Sequence, residues 1–232
     1  MRIGLLSDVH GNLSAVQAVA AAFAAEGPLD YVAAAGDHLL GGPRPVEVWR
    51  YLRASGWNLI RGNEDEALLS EEPPDLDPLH RYARAYDAQR RWTRQRLGPE
   101  LLQQLAALPD SFRLATPAGT LLVVHSSPRS IHDRAGGVQN QAAEVTAAYS
   151  GADADLIAFG HYHRNFVRPM PFALLVNVAS VSIPEDQRPL ASLTILSATA
   201  DGWVIEQTRV AYDPRDEEAA ATRNGLPRWQ PS

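Results

Sequence analysis

Five short apolar runs in this chain each end in residues that bind metals. Ile3-Gly4-Leu5-Leu6 leads to Asp8 and His10, Tyr31-Val32-Ala33-Ala34-Ala35 to Gly36-Asp37, and Leu59-Ile60 to Gly62-Asn63. Leu121-Leu122-Val123-Val124 leads to His125, and Leu156-Ile157-Ala158-Phe159 to Gly160-His161-Tyr162-His163. Each run has the length and apolar character of a buried β-strand, so the polar residue after it stands where a strand surfaces from the core. That edge is where α/β proteins build their sites. Of seven histidines in 232 residues, four fall at these strand ends, beside two aspartates and an asparagine.

Composition narrows the classes further. At 45% hydrophobic content the chain can bury one sizeable core, and a single domain over 1–232 is expected. A net charge of −6 argues against a basic surface for sequence-independent nucleic-acid binding. The absence of cysteine excludes disulfides and thiolate ligands. The first apolar run is cut by Asp8, and no stretch approaches the ~20 apolar residues of a membrane span. A soluble cytoplasmic protein is the expectation. All 21 basic residues are arginine, which reads as compositional bias in an alanine- and arginine-rich chain.

Strands and helical stretches alternate through the first half. Leu13 to Ala25 predicts a helix capped by Asn12, and Pro45 to Ala54 a second, closed near Gly56. Glu64 to Leu69 starts a third. Glu71-Glu72-Pro73-Pro74-Asp75 then breaks the pattern and introduces helical stretches from about Pro78 to Leu97 and Glu100 to Ala107. This excursion, at about 71–109, reads as a cap-like insert. A hairpin follows, Phe112 to Ala115 and Leu121 to Val124, then a loop to Gly137 and a helix near Gln141 to Tyr149. Leu174 to Val178, Leu190 to Ser197 and Trp203 to Val210 are further strands, the last two joined by an Asp201-Gly202 turn. A short acidic helix after Asp213 and a Pro-containing tail read as peripheral.

In extended chain, residues i and i+2 point to one side, so Asp8 with His10, and His161 with His163, can each face a common space. Glycines precede Asp37, Asn63 and His161, where sharp turns and close backbone approach are needed. Seven candidate ligands are too many for one tetrahedral ion; a pair of ions sharing Asp37 accounts for them. The pattern predicts a metal-dependent hydrolase.

The ordered set Asp8-x-His10, Gly36-Asp37, Gly62-Asn63-x-Asp65, His125 and Gly160-His161-x-His163 resembles the calcineurin-like metallophosphoesterase superfamily. Asn177-Val178-Ala179-Ser180-Val181 is similar to the Asn-Pro-Gly-Ser-Val element of its small bacterial phosphodiesterase branch. The resemblance implies an α/β (α+β) four-layer sandwich, two mixed β-sheets packed face to face with helices outside. It implies that Asp8, His10, Asp37 and His163 hold one divalent ion, and Asp37, Asn63, His125 and His161 a second. Mn²⁺ is the favoured ion, with Fe²⁺ and Zn²⁺ as alternatives. A bridging hydroxide would then attack a phosphomonoester or phosphodiester, with nucleotides among the candidate substrates. Two such ions and two aspartates leave a local charge of roughly +2, enough to draw phosphate to an acidic protein.

The chain departs from the family after the asparagine, where Glu64 stands in the place commonly held by the histidine that assists the leaving group. Glu64 can donate a proton only if burial raises its pKa. His38, beside Asp37, is a rival acid, or else a surface histidine after a turn. Loss of the acid would leave the alternative function, a phosphate-ligand sensor or interaction module that keeps the dimetal site. His80 and His132 read as solvated polar residues, Tyr162 as packing, and Ser126 and Ser127 lack the elbow of a nucleophilic serine. The insert carries Arg81, Arg84, Arg90, Arg91, Arg94 and Arg96 with Tyr82, Tyr86 and Trp92. It reads as a solvated amphipathic helix, or as a substrate cap whose arginines grip phosphate.

Overall fold

A computed structural model describes residues 1–72 and 83–227. The readings made on Pro73, Pro74, Asp75, His80, Arg81 and Tyr82, and on the tail after 227, lie outside the described residues.

The apolar runs form strands, and alternation sorts their side chains into layers. One sheet has the order β10-β9-β1-β2-β3, built from β1 (Arg2–Leu6), β2 (Tyr31–Ala34), β3 (Asn58–Leu59), β9 (Leu190–Thr199) and β10 (Gly202–Ala211). The other has the order β4-β5-β6-β8-β7, from β4 (Ser111–Thr116), β5 (Gly119–Val124), β6 (Leu156–Phe159), β7 (Asn165–Pro169) and β8 (Leu174–Val178). Both are mixed: β1, β2 and β3 run parallel, as do β5, β6 and β8, while β9, β10, β4 and β7 pair antiparallel.

Along β5, Leu121 and Val123 point to an inner core shared with Ile3, Leu5 and Leu196 of the opposite sheet, so the two sheets pack face to face. Leu122 and Val124 point outward to α5 (Ala142–Tyr149), which covers them with Val145, Ala148 and Tyr149. On the other outer face, Leu6, Ala34, Leu193 and Ile195 meet α1 (Leu13–Ala25), α2 (Pro45–Ala54) and α4 (Ala83–Ala106) through Val16, Val48, Trp49 and Leu105. The order helix, sheet, sheet, helix is the expected sandwich. Each buried Leu or Val contributes about 1.5–3 kcal/mol, which is why a strand hydrophobic on both faces is held in the middle layers.

Asn12 caps α1 as expected, its Oδ1 accepting from Ala15 N at 2.9 Å. The helical stretch α4 bends at Gly98 (φ 67°, ψ 173°) just before Pro99, the break anticipated between Leu97 and Glu100. Two expectations need correction. The strand β7 was not anticipated, and α6 (Arg215–Asn224) is no peripheral end. Its Glu217 is buried, accepts Ser14 N at 2.7 Å over the first turn of α1 and pairs with Arg44. A carboxylate at a helix N-terminus is stabilised by the exposed amides there. No helix of the described residues is long and apolar enough to cross a membrane.

Candidate metal centre

All five loops that bear candidate ligands leave the C-terminal ends of parallel strands. Asp8 and His10 follow β1, Asp37 follows β2, and Asn63 opens the short helix α3 (Asn63–Ala67) after β3. His125 follows β5, and His161 and His163 follow β6. The first two loops are laced by main-chain bonds, Asp8 N to Gly36 O and His10 N to Asp37 O, both 3.0 Å. Gly36 (φ 92°) is forced by that approach: a Cβ there would lie 2.7 Å from both His125 Nδ1 and Gly62 Cα. At Gly160 a Cβ would collide with Ser7 Oγ and Asp8 Oδ2.

The structure brings all seven predicted side chains together. Asp8 Oδ1 lies 3.1 Å from His163 Nε2 and 3.8 Å from His10 Nε2. Asp37 Oδ2 lies 3.2 Å from His125 Nε2, and Asn63 Oδ1 lies 2.9 Å from that nitrogen and 2.8 Å from His161 Nδ1. Two groups of potential ligand atoms fall within 4.8 Å of one another, Asp8 with His10 and His163, and Asp8 with Asp37 and His125. Asp8 is common to both groups, whereas the expectation gave the shared place to Asp37.

These atoms suit divalent cations. Imidazole nitrogens face each other at 3.3 Å twice, His10 Nε2 with His163 Nε2 and His125 Nε2 with His161 Nδ1. Nδ1 of His10 and of His125 each lies 2.7 Å from a main-chain carbonyl, of Leu40 and Ala35. A carbonyl only accepts, so those Nδ1 atoms carry the proton and Nε2 is turned to the site as the ligating atom. Lone pairs, carboxylates and an amide oxygen crowded together repel unless positive charge sits among them. The mixture of imidazole nitrogen with carboxylate and amide oxygen fits first-row divalent ions.

Before any ion binds, protons supply part of that charge. Burial opposes ionisation of His125, but the Asp37 charge and hydrogen bond overcome it and raise its pKa to about 10. His163 is likewise raised, against burial, by Asp8. Burial and then the neighbouring histidine lower the other member of each pair, His161 to about 4 beside His125, and His10 beside His163. The backbone pays a conformational cost as well: Asp8 (φ 58°), His10 (46°), Asp37 (54°), His161 (67°) and His163 (54°) all sit in the left-handed region. Each such residue costs on the order of 1–3 kcal/mol, and such outliers gather at functional sites.

Glu64 reaches the same space from α3. Its backbone N–H donates to Asp37 Oδ1 at 2.8 Å, and its carboxylate accepts from the Tyr86 hydroxyl of α4. Burial, then the Asp37 charge, push the Glu64 pKa up to about 8, against the Tyr86 hydrogen bond. In the sequence Tyr86 is one aromatic of the insert among others, and no local pattern marks its approach.

His38 is fully buried, which overturns the surface alternative. Its Nε2 lies 2.9 Å from Ile60 O, and its N–H donates to Asp65 Oδ1 at 2.9 Å, so it ties the β2 loop to α3. His132 is exposed beside Glu66, and Tyr162 packs on Phe159. Ser126 and Ser127 bond within their own loop to Asp133.

Three of the insert arginines, Arg90, Arg94 and Arg96, are committed to the protein's own carbonyls, while Arg91 is exposed and pairs with Asp87. Arg90, 1% exposed, donates to Ser70 O at 2.5 Å and to Asp87, closing the end of α3, and Arg94 donates to Leu68 O. Arg96 and Trp92 donate to Asn224 O at the end of α6. For Arg90 the solvated-face reading fails, because the guanidinium serves as the cap for carbonyls that the short α3 leaves unpaired.

The model of the calcineurin-like phosphoesterase superfamily domain matches residues 1–201. An uncharacterized protein of Methanocaldococcus jannaschii is 25% identical over 247 residues, covering 98% of this chain and 94% of its own length. A metallophosphoesterase of Sphaerobacter thermophilus superposes with a TM-score of 0.72 at 27% identity, covering 98% and 95% of the two chains. A hypothetical protein of Pyrococcus horikoshii shares the fold at a TM-score of 0.83 and 19% identity, covering 97% and 94%.

Proposed function

The chain belongs to the calcineurin-like phosphoesterase superfamily, and from that premise we propose that it hydrolyses a phosphomonoester or phosphodiester at two divalent ions. Membership supports metal-dependent phosphoester hydrolysis in general; the binuclear site, the ion and the roles below belong to the proposal. Asp8, His10, Asp37 and His163 hold one ion, and Asp37, Asn63, His125 and His161 the other, with Mn²⁺ favoured over Fe²⁺ or Zn²⁺. The convergence of seven donor side chains, five of them on strained backbone, carries this reading. When bound, the ions supply a nucleophile from water at neutral pH and offset charge that grows on the phosphoryl oxygens.

The chain's own residues do the rest. Asp37 is oriented by the Glu64 N–H, and the main-chain carbonyls of Leu40 and Ala35 fix which nitrogen His10 and His125 present. Glu64 is the acid of this reading: burial favours the protonated form of its carboxyl, which gives the proton to the departing oxygen, and Tyr86 holds that carboxyl in place. The domain spans 1–232, and the insert at about 71–109 caps the site through Tyr86.

A substrate panel on metal-stripped protein, with each divalent ion restored in turn, tests the proposal. Turnover of aryl phosphates or phosphodiesters that returns with Mn²⁺ is the expected result. Ions bound without turnover of any ester would replace the hydrolase by the phosphate-ligand sensor.

A further inference from the structure

The helix α6 is tied to three segments that flank the site. Its Glu217 pairs with Arg44 and accepts Ser14 N at the start of α1, just after the loop of Asp8 and His10. The Asn224 side chain donates to Pro43 O at 3.0 Å, on the loop that runs from Asp37 to α2. The third tie is to the insert. Gly225, at a left-handed φ of 66°, ends α6 and turns the chain so that Leu226 N donates to Ala221 O at 3.0 Å. A helix leaves its last carbonyls without partners of its own. Here Asn224 O accepts from Trp92 Nε1 at 3.3 Å and from Arg96, whose guanidinium lies 4.3 Å from the centre of the Trp92 ring. Pro227 O accepts from Gln89 Nε2 at 2.8 Å.

Gln89, Trp92 and Arg96 have the i, i+3, i+7 spacing of one helix face. Tyr86, Arg90, Thr93 and Leu97 share another, along which the last three are buried and Tyr86 reaches Glu64. The helix α4 is therefore held on two faces, by α3 and by the end of α6. The α3 side cannot set the alignment alone, because α3 has only five residues and a helix that short has little stability of its own. A slip of one residue along α4 would swing Tyr86 by about 100° around the helix axis, away from Glu64. The ties to α6 oppose that slip from the opposite end of the fold.

We propose that this C-terminal clasp, with Asn224 O and Pro227 O held by Trp92, Arg96 and Gln89, fixes α4 so that Tyr86 orients Glu64. Trp92 and Arg96 are then positioning residues for protonation of the leaving group. The proposal rests on the phosphoester reading above.

The double variant Trp92→Phe, Arg96→Met tests it in the full Mn²⁺-loaded chain, since it removes the donors and keeps most of the apolar bulk. Turnover of an alkyl phosphate should fall about threefold to fivefold, with p-nitrophenyl phosphate nearly unchanged, because only the first needs a well-placed acid. In a Glu64→Gln background the same two substitutions should add nothing, since the group they act through is gone. Equal losses on both esters, or an undiminished effect beside Glu64→Gln, would overturn the positioning role. Arg96→Met alone, a milder cut, should show the same selectivity at about twofold. Hydrogen exchange reads the clasp without catalysis: amides of residues 86–97 should exchange about fivefold faster in the double variant, while those of β6 keep the parent rates. Unchanged exchange along α4 would overturn the clasp. Faster exchange in a protein whose parent hydrolyses no ester would leave the clasp standing and remove the hydrolase instead.

Discussion

The two halves of the candidate metal centre are built alike and open onto different surroundings. In each, one aspartate lies 3.1 or 3.2 Å from a histidine and favours its charged form, while a second histidine is pressed towards neutrality by burial and by the first. The half formed by Asp37, Asn63, His125 and His161 is closed over by α3 and α4, where Glu64 and Tyr86 meet. The half formed by Asp8, His10 and His163 opens at His163 onto a polar cavity. The duplicated part gathers the candidate ligands, and the proposed proton transfer by Glu64 belongs to the insert side alone.

The strongest way to break that symmetry is to remove one carboxylate at a time. Asp37→Asn and Asp8→Asn should each reduce hydrolysis by at least about a thousandfold, since the ions offset several kcal/mol of transition-state charge. Metal content separates them. The variant at the shared carboxylate should lose both ions by elemental analysis, and the other should keep one. The proposal expects the double loss at Asp37; double loss at Asp8 with one ion retained in Asp37→Asn would follow the grouping of side chains around Asp8 instead. His125→Ala should keep one ion, and two ions retained there would remove His125 from the ligand set.

The insert side predicts a smaller, more selective effect. Glu64→Gln should slow hydrolysis of alkyl phosphates by about a hundredfold, the lower range of general acid catalysis, and that of p-nitrophenyl esters much less. Tyr86→Phe should give the same leaving-group signature at about a tenth of the size, because it disturbs the orientation of Glu64 while leaving its carboxyl in place. Equal losses on both ester types would deny Glu64 the role of acid.

Much of this arrangement could be read from the chain because strand ends are local features. An apolar run followed by Asp, His or Gly-His places its ligand without reference to the rest of the molecule, so Asp8, Asp37, His125 and His161 were assignable one loop at a time. Their grouping came from the resemblance to a family pattern. What could not be read is long-range. Tyr86 meets Glu64 across two helices, a pair with no periodicity to announce it. The strand β7 escaped because Arg168 and Pro169 interrupt its apolar pattern, a penalty tolerated only on a sheet edge, where β7 lies. Arg90 misled in the opposite sense, a charged residue in a polar helix that turned out to be a buried cap.

Protons and ions compete for both halves, and pH exposes the competition. In the metal-free protein His125 is raised from 6.5 to about 10, so its ion pair with Asp37 stabilises the fold fully below pH 6.5 and that contribution fades as pH rises towards 10. A divalent ion needs the same nitrogen unprotonated. Metal affinity should therefore climb between pH 6 and 9, by up to about tenfold per pH unit for each proton displaced. Titrations in buffers of different ionisation enthalpy should show proton release. In His125→Ala the pH dependence should become shallower; an unchanged slope would place the displaced proton elsewhere.

The smallest effect concerns how the first half is held. The loop after β8 supports Asp8 through Ser180 Oγ, which donates to Asp8 O at 2.8 Å, and Val181 N, which donates to Ser7 O at 2.9 Å. To reach them the chain turns through Ala179 at φ 58°, where the similar family element carries glycine. An alanine there stores about 1–2 kcal/mol of left-handed strain. Ala179→Gly releases it but loses a buried methyl, about 0.8 kcal/mol, and adds freedom to the unfolded chain, about 0.4–1 kcal/mol. The terms nearly cancel, so the variant should match the parent within about 0.5 kcal/mol in chemical denaturation. At Ala158, equally buried in the regular strand β6, only the two losses remain, and the same substitution should cost about 1–2 kcal/mol. The difference between the two sites measures the strain. Equal costs at both would mean that the loop beneath Asp8 holds it without strain, and that the left-handed geometry of this half is confined to Asp8, His10 and His163.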